Sequence, residues 1–169
     1  MEHLPSNWRV ETLGPHHERT SFASGDEPLD RYLCTQAGQD ARKNRAAPFV
    51  LAAPDGSIAG YYTLSSKAVK LAELPEILTR KLPRYPLVPA TLLGRLAVDI
   101  RHQGKGHGRF LLADALRRAA RSEIASFAVI VDAKNEAAQR FYERESFVLL
   151  PGHARRLFLP MAKIVALFN

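Results

Sequence analysis

Apolar and polar residues alternate over "WRVETL" at residues 8 to 13, predicting a first strand. The segment "SFASGDEPLDRYL" offers Ser24 or Asp26 as a helix cap, places Pro28 in the first turn, and sets Leu29, Tyr32 and Leu33 at helical spacing. In "PFVLAAPDGSIAGYYTLSS" two β-rich runs are split by the turn "PDGS", which predicts a hairpin. From 75 to 91 the prolines Pro75, Pro83, Pro86 and Pro89 predict a loop or a broken helix. "TLLGRLAVDI" is apolar almost throughout and predicts a strand buried on both faces. A helix over about 106 to 121 follows, then the strand "FAVIVDA", the helix "NEAAQRFYERES" and the strands "FVLL" and "RLFLPM". Strand–helix–strand alternation after residue 90 implies a parallel crossover and a mixed α/β class. The closing "AKIVALFN" is apolar at Ile164, Val165, Leu167 and Phe168, a pattern for packing on the core, with a dimer contact or a partner contact as the alternatives.

At 169 residues with 46% hydrophobic content the chain is expected to form one domain over 1–169 with a real core. Cys34 is the only cysteine, which excludes an internal disulfide and a metal site built on paired cysteines, and fits a reducing, cytoplasmic setting. No cationic start leads into an apolar run, and no stretch approaches bilayer-spanning length, so a soluble protein with no membrane association is expected.

Charge narrows the partners. The 24 Lys and Arg against 17 Asp and Glu leave a net charge of +7, which points to a polyanion, nucleic acid foremost. The basic residues cluster as Arg42, Lys43 and Arg45; Arg80, Lys81 and Arg84; Arg117, Arg118 and Arg121; Arg155 and Arg156. Arginine dominates, and its fork can bind two phosphate oxygens at once.

The chemistry concentrates in "RHQGKGHGRF" at 101 to 110, where Gly104, Gly106 and Gly108 alternate as a helix begins. Glycines there permit positive φ or close approach, and the first amides of the helix with its dipole make an anion site. Gly104-Lys105 is followed by glycine, so this is not the mononucleotide loop; Arg109 stands where a dinucleotide fingerprint needs its third glycine. Kinase and dinucleotide dehydrogenase chemistry are thereby disfavoured.

The run Gln103-Gly104-Lys105-Gly106-His107-Gly108 resembles the Gln/Arg-x-x-Gly-x-Gly/Ala pyrophosphate loop of the GNAT acetyltransferases, and "LGRLAVDIR" before it resembles that family's splayed strand. The resemblance implies a GNAT fold: a central mixed, mostly antiparallel twisted sheet with a splayed parallel pair and flanking helices. It implies acetyl-CoA as co-substrate and no metal. Leu96, Ala97 and Val98 would then supply the strand backbone contact to the acetyl and pantetheine groups. The amides of Gln103, Gly104, Lys105, Gly106, His107, Gly108 and Arg109 would hold the pyrophosphate. "DAKNEAAQRFYERESFV" is similar to the family's later segment, so Asn135 would contact the cofactor arm, Phe141 would lie near the thiol, and Tyr142 would be the general acid.

A free lysine amine has a pKa of about 10.4 and needs a base, whereas an α-amine near 8 is partly neutral at pH 7. No carboxylate in these motifs is an obvious base, and Asp99, the closest in sequence, reads as structural at a strand end. A low-pKa amine is therefore favoured. Over almost the whole chain, "LDRYL", Tyr61-Tyr62-Thr63, the Pro-rich run into "LGRLAVD" and "FYERESF" resemble the GNAT toxins that acetylate the amino acid on charged tRNA and are silenced by a ribbon-helix-helix antitoxin. The resemblance implies charged tRNA and such an antitoxin as partners, with a homodimer possible. The alternative is a GNAT enzyme for a small amine or a protein N-terminus. A non-enzymatic nucleic-acid-binding module accounts for the charge but not for the glycine loop.

Overall fold

The computed structural model describes residues 4–80 and 85–169; Lys81, Pro83 and Arg84 lie outside the described residues. The elements run β1 Arg9–Thr12, α1 Glu27–Thr35, α2 Ala37–Arg42, β2 Ala47–Ala52, β3 Ile58–Lys70, α3 Glu76–Thr79, β4 Leu87–Val98, α4 His107–Arg121, β5 Ala128–Asp132, α5 Glu136–Arg144, β6 Val148–Leu149, β7 Arg156–Pro160 and α6 Met161–Leu167. The strand order is β1-β2-β3-β4-β5-β7-β6. β1 with β2, β2 with β3, β5 with β7 and β6 with β7 are antiparallel, while β4 and β5 are parallel over Thr91–Leu93 and Val129–Val131. This is the mixed, mostly antiparallel sheet with one parallel pair that was expected. The parallel ladder stops at Leu93, and β4 continues alone of the two to Val98.

The chain divides into two compact units, Met1–Ser65 with Gly94–Ala115 and Ser66–Leu93 with Leu116–Asn169, so β3, β4 and α4 are each shared between them. In the first unit Leu33, Ala37, Val50, Tyr61 and Ala97 are buried in one cluster. Tyr61 keeps its phenol satisfied there by donating to Leu29 O at 2.6 Å. In the second unit Val69, Val88, Ala90, Ile130 and Phe158 form another cluster.

Of the two candidate caps, Asp26 opens α1 by accepting from Leu29 N–H at 3.2 Å, and Pro28 stands in the first turn. Such a cap is worth about 1 kcal/mol. Ser24 instead donates its hydroxyl to Asp30 at 2.6 Å. The "PDGS" turn closes through Asp55, which accepts from Ser57 N–H and hydroxyl at 2.9 and 2.7 Å.

Two expectations need correction. β4 begins at Leu87, not at residue 91, and it is not buried on both faces: Leu87, Pro89 and Gly94 are exposed while Val88, Ala90, Leu93 and Ala97 are buried. Pro89 is tolerated because what it offers is its carbonyl, which accepts from Phe127 N–H at 2.8 Å. The buried positions change from even to odd between Ala90 and Leu93. The closing apolar run is only partly core, since Ile164 is buried but Val165 and Leu167 are 39% and 63% exposed.

Candidate active site

The glycine loop lies in the first unit, between a short 3-10 turn at Ile100–His102 and α4. Gly104 has φ +76° and Gly106 φ +83°. An added Cβ would meet nothing within 4 Å at either, so glycine is needed there for backbone conformation alone. Gly106 O accepts the first bond of α4, from Phe110 N–H at 3.0 Å. Gly108 already belongs to the helix, whose leading amides have no acceptor within it, as at any helix start. Gln103, Gly104, Lys105, Gly106 and Arg109 lie on the surface, Gly108 is half-buried, and His107 is buried.

Contacts remote in sequence hold this loop in place. Gln103 donates its side-chain amide to Ser24 O and Val98 O, both at 2.8 Å. The fully buried Asp99 carboxylate accepts from Ala23 N–H at 3.1 Å, Arg101 N–H at 2.9 Å and the Arg101 guanidinium at 2.9 and 3.3 Å. Burial alone would raise its pKa, but the Arg101 and Ala23 bonds outweigh this and hold it below the ordinary carboxylate range. Asp99 is thus a structural anion and no free base. Its N–H donates to Ala59 O, and Ile100 N–H donates to Ala23 O, both at 2.8 Å.

Leu96, Ala97 and Val98 end β4; Ala97 is buried and the other two are half-buried. At Gly60 a Cβ would stand 2.9 Å from Ala97 O and 2.7 Å from Leu111 Cδ1, so β3, the end of β4 and the first turns of α4 approach closely only because this residue is glycine. Gly60 escaped the motif reading; its signal was a glycine inside a β-rich run. Trp8 escaped it as well. Its ring meets His102 at 5.0 Å edge-on and His107 at 5.6 Å, the two imidazoles flanking the loop.

In the second unit Asn135 caps α5, its Oδ1 accepting from Ala138 N–H at 2.9 Å, which leaves its amide N–H groups as donors. Phe141 and Phe147 flank the Tyr142 ring edge-on at 5.1 and 5.5 Å. Tyr142 is 8% exposed, and burial pushes its phenol above the ordinary range. No described residue hydrogen-bonds its hydroxyl, yet no buried polar side-chain atom is left unsatisfied among the described residues, so the hydroxyl itself must reach the surface. The aromatic pair is therefore a packed ring with an unengaged donor at its tip.

Of the arginine clusters, Arg42, Arg45, Arg80, Arg117, Arg121 and Arg155 are exposed, whereas Arg156 is committed to Asp132 at 2.7 and 3.1 Å. Glu11, His16 and His17 bring three ligand-type atoms within 4.8 Å. His17 Nδ1 accepts from Gly14 N–H at 2.9 Å, so its proton is on Nε2, donated to Glu11 at 2.7 Å. In that tautomer His17 offers no lone pair to a cation, and the group reads as a hydrogen-bonded turn. No helix of the described residues is long and apolar enough to cross a membrane.

Comparison with known proteins agrees with this geometry. Residues 10–147 match the family described as Acetyltransferase (GNAT) family. A tRNA-acetylating toxin of Mycobacterium tuberculosis (strain ATCC 25618 / H37Rv) is 37% identical over 152 residues, covering 89% of this chain and 90% of the relative. The structure of AtaT complexed with acetyl-methionyl-tRNAfMet superposes with a TM-score of 0.88 at 30% identity, covering 96% of this chain and 99% of the other. A tyrosine-to-phenylalanine mutant of AtaT, bound to the C-terminus of the antitoxin AtaR and acetyl-CoA, gives 0.82 at 26% identity over 97% and 99%.

Proposed function

The chain belongs to the GNAT acetyltransferase family, and from that premise we propose that it moves the acetyl group of acetyl-CoA to the α-amine of an aminoacyl-tRNA. Acetylation of that amine removes the nucleophile of peptide-bond formation, so the enzyme acts as a toxin that stops translation. Its partners in this reading are charged tRNA and a ribbon-helix-helix antitoxin, and the cytoplasm is its setting. The reading takes residues 1–169 as one catalytic domain.

Support for the cofactor comes from the Gln103–Arg109 loop, with Gly104 and Gly106 in the left-handed region at the mouth of α4. Backbone amides and the helix dipole there suit a pyrophosphate. Leu96, Ala97 and Val98 are assigned the acetyl and pantetheine contacts, and a strand amide there would stabilise the oxyanion as the amine attacks the thioester carbon. The attacking nitrogen gives up a proton to solvent, the carbon–sulfur bond breaks and coenzyme A leaves as a thiolate. Tyr142 is assigned the hydrogen bond to that sulfur, with Phe141 beside it and Asn135 on the cofactor arm. Burial raises the phenol pKa, so Tyr142 acts as a donor that stays protonated; full transfer to sulfur is more steeply uphill than for a free tyrosine.

The acceptor rests on the toxins that the chain resembles and on one feature of its own. Asp99, the carboxylate nearest these motifs in sequence, is committed to Arg101 and Ala23, so an amine that needs no strong base fits best. An aminoacyl ester has such an amine. The direct test is transfer of labelled acetyl from acetyl-CoA to total charged tRNA, with deacylated tRNA alongside. Label confined to charged tRNA supports the reading. No label on tRNA despite acetyl-CoA binding rejects it in favour of a small amine or a protein N-terminus.

A further inference from the structure

Resting on this choice of acceptor, we infer that Arg95 anchors the phosphodiester nearest the charged end of the tRNA. Arg95 stands one residue before Leu96–Val98 on β4 and lies outside every basic cluster of the sequence. Its guanidinium carbon sits 3.5 Å above the centre of the Tyr32 ring. Tyr32 is buried and oriented by its hydroxyl, which donates to Asp40 at 2.8 Å. Asp40 also accepts from the Gln36 amide at 3.0 Å and has Arg45 at 3.9 Å, so its oxygens are already engaged. Stacking occupies only the face of the guanidinium. Its N–H donors lie in the plane, and none of them is hydrogen-bonded to a described residue.

A half-buried guanidinium held flat on an aromatic ring, with its fork unengaged, is pre-organised for a bidentate anion. The direction of the cofactor says which anion. In the proposed reading acetyl-CoA runs from the loop at 103–109, beyond the C-terminal end of β4, to the acetyl contact at 96–98. In the same reading the incoming amine comes to the thioester from the side away from the loop, and along β4 in that direction Arg95 precedes Leu96–Val98. On an aminoacyl-tRNA the nearest negative charge to that amine is the phosphodiester 5′ to the terminal nucleoside. The pyrophosphate of the cofactor is held elsewhere, so the two anions have separate anchors.

The test is steady-state acetyl transfer to charged tRNA by wild type, Arg95→Ala and Arg95→Lys, measured across about 50–200 mM salt. Arg95→Ala is expected to raise the KM for charged tRNA about ten- to a hundredfold, to leave the KM for acetyl-CoA unchanged, and to reduce the salt slope by about one. Arg95→Lys is expected to keep the slope but raise the same KM severalfold, because it keeps the charge and loses the fork. An unchanged salt slope in Arg95→Ala, or a matching rise in the KM for acetyl-CoA, overturns the assignment. Should the alanine variant fail to fold, the lysine variant decides: a wild-type KM for charged tRNA overturns the anchor. A wild type that labels no tRNA rejects the acceptor reading itself and the anchor with it, a result separate from a variant that matches an active wild type.

Discussion

The glycine loop and the tyrosine helix α5 are built on opposite physical plans. Around the loop the fold uses backbone conformation and buried polar bonds: left-handed Gly104 and Gly106, the Asp99 carboxylate with four donor contacts, and the Gln103 amide spanning two carbonyls. Around Tyr142 it uses ring packing and a cap, with Phe141, Phe147 and Asn135 and no bond to the hydroxyl. A region assembled from directional bonds fails when one bond is removed. A packed region tolerates loss of the polar atom it leaves unengaged, and that atom is then available for chemistry.

The sharpest break in this contrast is Tyr142→Phe. It should lower kcat about 10²- to 10⁴-fold with Tm and the KM for acetyl-CoA unchanged, since nothing in the fold uses the oxygen; a fall in Tm would show that the hydroxyl has a structural partner. The same variant sets the pH reading. Burial raises the phenol pKa, so the wild-type rate should climb as the α-amine loses its proton near pH 8 and should show no falling limb below about pH 10. A tyrosine-dependent fall at lower pH would contradict the buried ring.

Asp99→Ala should do the reverse and act first on stability. Removing the carboxylate strands Ala23 N–H and the Arg101 donors, at a cost of about 2–3 kcal/mol, tempered because Arg101 itself is largely exposed. Denaturant unfolding measures that cost, and the KM for acetyl-CoA should rise as the loop loosens. Because the folded pKa of Asp99 is depressed, its contribution is full above the unfolded value of about 3.9 and is lost as pH falls through the folded one. Equal denaturation midpoints for variant and wild type would remove Asp99 from this role.

Gly106→Ala should have the smallest effect. The space around it is open, so only the left-handed backbone is penalised, at about 1–2 kcal/mol. The KM for acetyl-CoA should rise by up to about tenfold, and Gly106→Asn, which tolerates that region better, should be milder. Equal values for the two variants would mean that the side chain and not the backbone is sensed.

Legibility in the sequence followed the same division. The loop was readable because positive φ selects glycine, a local demand. The strand–helix alternation after residue 90 likewise announced the parallel pair. The start of β4 was missed because Pro89 reads as a breaker, and only its carbonyl contact with Phe127 explains why the strand can contain it. The fastening of the loop was illegible for a different reason. Asp99 meets Ala23, and Gln103 meets Ser24, across separations of 76 and 79 residues that no local pattern encodes. Arg95 on Tyr32 is the same kind of contact, so the composition could report a basic chain without indicating which arginine is held ready.

Trp8 is the only tryptophan in the chain, and it touches both imidazoles that flank the loop. Intrinsic indole emission from this protein therefore arises at a single position beside the proposed pyrophosphate site. The protein thus has a built-in optical probe: titration with acetyl-CoA can be followed at one wavelength, with no label and no turnover.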